Sequence, residues 1–165
     1  MVILGIDPGY AIVGYGGVEY YSNMYHVTGY GAIETSADAP FNQRLEHIYS
    51  EMNGVILRCK PDCVAIEKLY FQNNQKTAID VAQARGVILL AAQLNHLPIY
   101  EYTPLQVKIA VTGYGKAKKE QVMDMTKRLL KLEKMPRLDD TADALAIAIC
   151  HAQANGTQLK KYLHR

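Results

Sequence analysis

Four acidic residues stand at the borders of apolar runs. Asp7 follows Val2-Ile3-Leu4-Gly5-Ile6 and precedes Pro8-Gly9, Glu67 ends Cys63-Val64-Ala65-Ile66, and Asp140 and Asp143 precede Ala144-Leu145-Ala146-Ile147-Ala148-Ile149. A carboxylate at the exit of a buried strand costs free energy unless something pairs with it. Two such acids, with a pair three residues apart on a helix, form an all-oxygen donor set. That set suits hard divalent cations and metal-assisted phosphodiester chemistry. Each acid also has a plainer explanation when taken alone. Asp7 fits an Asx turn and Glu67 an exposed strand end. Asp140 fits an N-cap, with Asp143 in the first turn, where a good cap contributes about 1 kcal/mol. One cap does not account for three acids, Asp139, Asp140 and Asp143, crowded together. Like-charge crowding of that kind favours a bound cation.

Phosphate chemistry also needs positive charge, and the chain distributes it unevenly. Net charge is only +2. Residues 1–102 carry six basic and ten acidic side chains, residues 103–137 nine and three, and residues 138–165 three of each. The basic block holds Lys108, Lys116, Lys118, Lys119, Lys127, Arg128, Lys131, Lys134 and Arg137. A solvated helix face explains Lys127 to Lys134 equally well. A basic block beside a carboxylate cluster is nonetheless what a nuclease needs. Lysines hold the phosphate backbone while metal ions offset repulsion between the acids and the scissile phosphate. Gly113-Tyr114-Gly115 reads as a turn bringing Lys116, Lys118 and Lys119 toward phosphates, since its spacing fits neither a Walker loop nor a dinucleotide fingerprint. Tyr70-Phe71, flanked by Gln72-Asn73-Asn74, reads as an exposed aromatic pair able to stack on an unpaired base. The five histidines lack metal-ligand spacing, and no Ser-His-Asp or Cys-His set is supported.

The elements that must position these residues are legible in the hydrophobic pattern. Residues 2–7 read as a buried strand ending in a Pro-Gly turn. Strands over about 12–20 and 24–34 complete an antiparallel meander. A helix fits 41–59, with Leu45, Ile48, Tyr49, Met52, Val55 and Ile56 at helical spacing and Pro61 beyond its end. Residues 62–67 and 99–102 read as short strands. Helices fit 76–95, 104–111, 118–132 and 140–154. This order implies an α/β fold, a mixed five-stranded sheet with helices on both faces. If strands 2–7 and 62–67 are parallel neighbours, Asp7 and Glu67 emerge side by side, beyond the strand ends where ligand sites lie in such sheets. Asp140 and Asp143 would share one face of the last helix, with Ala142, Leu145, Ala146 and Ile149 packing on the other.

Length and composition bound the class. A chain of 165 residues, 49% hydrophobic, suits one domain with a full core. Residues 1–155 read as that domain and 156–165 as a short polar tail. The longest apolar stretch, Gly86 to Ala92, is too short for a bilayer. The N-terminus has no basic n-region and Asp7 interrupts its apolar run, which argues against a signal peptide. Cys59, Cys63 and Cys150 are odd in number and lack zinc spacing, so buried free thiols in a reducing cytoplasm are expected.

Gly5-Ile6-Asp7-Pro8-Gly9, Ala65-Ile66-Glu67, Gln83-Ala84-Arg85-Gly86 and Asp140-Thr141-Ala142-Asp143-Ala144-Leu145-Ala146-Ile147-Ala148 together resemble the RuvC family of bacterial Holliday-junction resolvases. Any one motif is weak, but four in order, from residue 1 to about 155, are highly specific. The resemblance implies a ribonuclease-H-like fold and a cytoplasmic homodimer that resolves four-way DNA junctions in recombination and repair. It implies catalytic, metal-holding roles for Asp7, Glu67, Asp140 and Asp143, and DNA contacts at Lys108, Lys119 and Tyr70 or Phe71. The implied partners are junction DNA, a second copy of the chain, and the branch-migration proteins RuvA and RuvB. The expected reaction is two-metal hydrolysis with Asp7 bridging two Mg2+ ions, Mn2+ being able to substitute. Symmetric nicks would then bear 5′-phosphate and 3′-hydroxyl ends.

Three rival readings use the same residues. An actin-like kinase would place Asp7-x-Gly9 on nucleotide phosphate, but it usually needs two lobes and a second glycine-rich loop. A related ribonuclease-H-like enzyme would apply the same acids to RNA or to another form of DNA. A non-catalytic DNA-binding module would have no need of acids beside phosphate.

Overall fold

Alternation with period two decides which side of each strand is covered. In β1 (Val2–Asp7), Leu4 and Ile6 point to one core, while Ile3 points to another on the opposite face. The chain continues through β2 (Ile12–Tyr21), β3 (Met24–Glu34), α1 (Phe41–Cys59), β4 (Cys63–Glu67), α2 (Gln75–Leu94) and β5 (Ile99–Tyr102). It ends with α3 (Pro104–Thr112), α4 (Lys119–Leu129) and α5 (Asp139–Gly156). The structure, a computed structural model, describes residues 1–69, 75–134 and 136–156, with backbone alone at 75, 76, 155 and 156. Tyr70 and Phe71 lie outside the described residues, as does the expected polar tail from residue 157 onward.

The sheet order is β3-β2-β1-β4-β5. The first three strands are antiparallel, and β1, β4 and β5 run parallel. This is the mixed sheet expected from the sequence. Helices α1 and α2 cover one face, sharing a core with Leu4, Ile6, Val64 and Ile66. Helix α5 lies across the other face, with α3 and α4 outside it, over Ile3, Val18, Cys63 and Ala65.

Helix α5 differs from expectation in one respect. Instead of two contrasting faces it is buried nearly all round from Thr141 to Ala152, because the sheet takes one side and α3 and α4 take the other. Its close seat on the sheet depends on glycines. A Cβ on Gly5 would run into the carbonyl oxygen of Ala144, and one on Gly14 into that of Asp140. Both backbones are therefore nearer than any side chain permits.

Helix α4 is shorter than the 118–132 expected, ending at Leu129, with Lys131 in the left-handed region at φ 53°. Helix α3 is delimited by a Thr103–Gln106 capping box with Pro104 at its first position, and by Gly113 at φ 74°. Cys63 and Cys150 are buried and Cys59 is half-buried, all as free thiols.

The stretch Gly86 to Ala92 sits inside a longer apolar segment. Thr77–Leu94 has mean hydropathy 1.2 and is long and apolar enough to cross a membrane by length and composition, although only 22% of it is buried. The apolarity comes from two faces of one helix. Ala84, Ile88, Ala91 and Ala92 are buried, while Ile79, Leu90 and Leu94 are 67%, 51% and 56% exposed.

Candidate active site

Pairing of β1 with β4 sets the site. Ile3 lies opposite Cys63 and Ile6 opposite Ile66, in parallel register. Asp7 and Glu67 are the next residues along, at the same ends of adjacent strands. Alternation puts both on the face covered by α5, since Ile3 and Gly5 precede Asp7 there and Cys63 and Ala65 precede Glu67. The glycine contacts then bring the first turn of α5 down beside them. Thr141 fastens that turn, its hydroxyl donating to the Gly31 carbonyl at 3.1 Å.

Asp7 and Glu67 share a side-chain hydrogen bond, which requires a proton between two carboxyls. Burial is the main reason the Asp7 carboxyl is pushed up to about 8. Repulsion from Glu67, Asp143 and Asp140 adds to it. Burial also raises Glu67, against the hydrogen bond from Asp7. Burial raises Asp143, opposed by the neighbouring Lys119 ammonium.

Lys119, the first residue of α4, reaches Asp143 Oδ2 at 3.0 Å and Asp139 Oδ2 at 3.3 Å. The four acids are thus gathered at one end of the sheet: Asp7 lies against Glu67, Asp143 is held by Lys119, and Asp140 is within electrostatic range of Asp7. Among the described residues, no three His, Cys, Asp or Glu side chains are grouped closely enough to hold an ion as they stand. The donor chemistry nevertheless fits a hard cation. The oxygens are all carboxylate, and burial together with the charges of Glu67, Asp143 and Asp140 raises Asp7, a setting in which a bound cation would favour its ionised form.

Lys108 stands across the same opening. A cleft of about 240 Å³ runs between Glu67, Asp143, Lys108 and Lys119, floored by Pro104, Val107, Val122 and Ile147. Lys116 and Lys118 are exposed on the turn before α4, away from that lining. The Lys118 N–H is taken by the Gln121 side chain at 2.8 Å, which fixes where α4 begins and so where Lys119 points.

Three supports were not read from the sequence. Arg44, buried on α1, donates to Thr35 Oγ1 at 2.8 Å and to the Tyr10 carbonyl at 3.3 Å, with its guanidinium 4.5 Å from the Tyr10 ring centroid. It thereby pins the turn that leaves Asp7. Arg85 on α2 donates from Nε to the Glu67 carbonyl at 3.3 Å. Its terminal nitrogen stands 2.8 Å from Glu101, close enough for an ion pair but misaligned for a hydrogen bond. Behind the cleft, Tyr102 Oη lies 2.7 Å from His151 Nδ1, and burial holds that imidazole down to about 4, so it stays neutral. Each depends on residues far apart in the chain; the one local signal was the place of Arg85 in Gln83-Ala84-Arg85-Gly86.

Comparison with known proteins bears on the family and the fold. The family model described as crossover junction endodeoxyribonuclease RuvC matches residues 3–151. A crossover junction endodeoxyribonuclease RuvC from Desulforamulus reducens is 52% identical over 157 residues, 95% of this chain and 96% of that protein. One from Alkaliphilus metalliredigens is 54% identical over 158 residues, 96% of each. The solved Thermus thermophilus RuvC structure superposes with TM-score 0.88 at 36% identity, covering 94% of this chain and 96% of that one. The same organism's RuvC in complex with Holliday junction substrate gives TM-score 0.87 at 37% identity, covering 92% and 93%. Fold, order of motifs and near-full-length identity converge: this chain belongs to the RuvC family of crossover junction endodeoxyribonucleases.

Proposed function

We propose that this protein cuts four-way DNA junctions by metal-dependent phosphodiester hydrolysis, as a homodimer placing symmetric nicks. The observation that carries the reading is the pairing of Asp7 with Glu67 at parallel strand ends beneath the first turn of α5. Asp7, Glu67, Asp140 and Asp143 would hold Mg2+, with Mn2+ able to replace it. When bound, the metal supplies Lewis acidity and charge neutralisation for attack by water and departure of a 3′-oxygen, leaving 5′-phosphate and 3′-hydroxyl ends. Lys108 and Lys119 face the cleft from opposite helices and hold the phosphates that flank the cut. Lys116 and Lys118 extend that hold along the backbone outside the cleft. Tyr70 or Phe71, which follow Glu67 in the chain, would stack on a base opened at the crossover.

One site cuts one strand, so resolution requires a second copy related by a two-fold axis. Helix α2 is the surface we assign to it. Ile79, Ala82, Gln83, Gly86, Leu90 and Leu94 recur at helical spacing and all face solvent. Among the described residues, nothing lies within 4 Å of the position a Cβ would take on Gly86, which leaves room for a second helix to approach closely. Cooperation with RuvA and RuvB, and a cytoplasmic location, belong to the same reading and follow from the family resemblance.

The decisive experiment compares cutting of a mobile four-way junction, a linear duplex and an RNA–DNA hybrid, with and without Mg2+. Paired nicks confined to the junction and dependent on the metal are expected. Preferential cutting of the hybrid would replace the substrate assignment with a ribonuclease one.

A further inference from the structure

Among the described residues, the ammonium paired with the clustered carboxylates is that of Lys119, and the way it is held separates it from an ordinary surface ion pair. Lys119 arrives from the start of α4 and bridges two acids one turn apart on α5, at 3.0 Å and 3.3 Å. Asp143 is two-thirds buried, with 34% of its side chain exposed, and it lies within electrostatic range of Asp7 and Glu67. Asp139 is the more exposed partner and belongs to no metal-holding set assigned above. Exposed pairs contribute little, but this ammonium is held by two carboxylates at once and acts on Glu67 as well. Burial works against its charge, and the pairs with Asp143 and Asp139 outweigh burial.

We propose that Lys119 is a resident counter-ion of the metal-free site: Asp139 and Asp143 hold its ammonium in place of a divalent cation, and metal binding displaces it toward the DNA. The inference rests on the reading of the four acids as metal ligands. Asp139 then has a role of its own, as a positioning residue that holds the lysine without contacting the metal. Displacement links two events. The metal gains Asp143 as the lysine leaves, and the freed ammonium becomes available to a phosphate across the cleft. By linkage, metal binding and the phosphate contact of Lys119 must strengthen one another by the same factor.

Mn2+ binding to the full chain without DNA, followed by the loss of the free-ion paramagnetic resonance signal, tests this apart from activity. Lys119→Met should tighten Mn2+ by roughly fivefold or more, the factor that about 1 kcal/mol of lost competition produces. Lys108→Met removes a charge from the same cleft without touching the ion pair, and should tighten it much less. Asp139→Asn should weaken Mn2+ binding in the Lys119→Met background but change it little in the parent, where release of the lysine offsets the lost charge. Equal effects of Lys119→Met and Lys108→Met would overturn the counter-ion role. An Asp139→Asn effect identical in both backgrounds would overturn the role of Asp139. Failure of the underlying metal reading looks different: the parent and Asp7→Asn would then bind Mn2+ equally weakly, and this inference would fall with it.

Discussion

At the scale of single residues, Asp7 sets how the protein responds to pH. Unfolded, its carboxyl ionises near the ordinary 3.8; folded, it is pushed up to about 8. The native state keeps the proton through that interval while the unfolded chain loses it, so metal-free stability falls as pH rises from about 4 to about 8. Asp7→Asn cannot ionise and escapes that loss. In chelator at pH 8 the variant should melt above the parent by roughly 2–4 °C or more, the shift about 1 kcal/mol gives in a chain of this size. The gap should close toward pH 4, and Mg2+ should raise the melting temperature of the parent alone. Equal melting at pH 8 in calorimetry would contradict the origin given for the raised carboxyl. The same variant should bind junctions normally and cut none. Asp7 and Glu67 were legible because an acid ending an apolar run conflicts with its surroundings. The grip of Asp139 on Lys119 was not, because it joins two helices whose relative placement no local pattern encodes.

At the scale of elements, the seat of α5 carries the site. Gly5→Ala places a methyl group against the Ala144 carbonyl and must lift the helix or distort β1. Overpacking of this kind costs about 1–3 kcal/mol. The expected outcome is a folded protein, native by far-ultraviolet circular dichroism, with a lowered melting point and little cutting, since Asp140 and Asp143 move away from Asp7. Full activity would mean that the close approach is dispensable. The three-strand meander and most helix bounds were readable from period and punctuation, the β1–β4 pairing was only a conditional reading, and the place of β5 beside β4 was not read. The end of α4 was not, because apolar spacing continues through Leu130 and Leu132 while Lys131 turns left-handed. The all-round burial of α5 escaped for a related reason: its many alanines fit a two-faced helix and a fully enclosed one equally well, and only the position of α3 and α4 decides.

At the scale of the whole molecule, the exposed side of α2 is the proposed dimer seam and the basic block around α4 the proposed DNA face. Leu90→Glu puts a charge in the middle of the seam, 51% exposed in the single chain. Sedimentation at micromolar concentration should then give monomer mass where the parent gives dimer, and junction cutting should become unpaired nicking. A dimer that survives would move the seam elsewhere. On the DNA face, Lys108→Ala should weaken junction binding and reduce the slope of log affinity against log salt by about 0.9, the value of one lost phosphate contact. An unchanged slope would remove Lys108 from the backbone contacts. The basic block from which this face is proposed was legible in composition alone, whereas the exposed apolar stripe of α2 was masked by a helix that reads as core along its whole length.

The Arg85 contacts join these scales. One guanidinium on α2 reaches the Glu67 carbonyl at the end of β4 and Glu101 on β5, while the far side of the same helix is the exposed face proposed to pair with a second copy. In a paired molecule, a stiff protein path therefore runs from one cutting centre through two abutting helices to the other. The separation between the two incisions is then a length built into the polypeptide, a ruler to which the flexible DNA crossover has to conform.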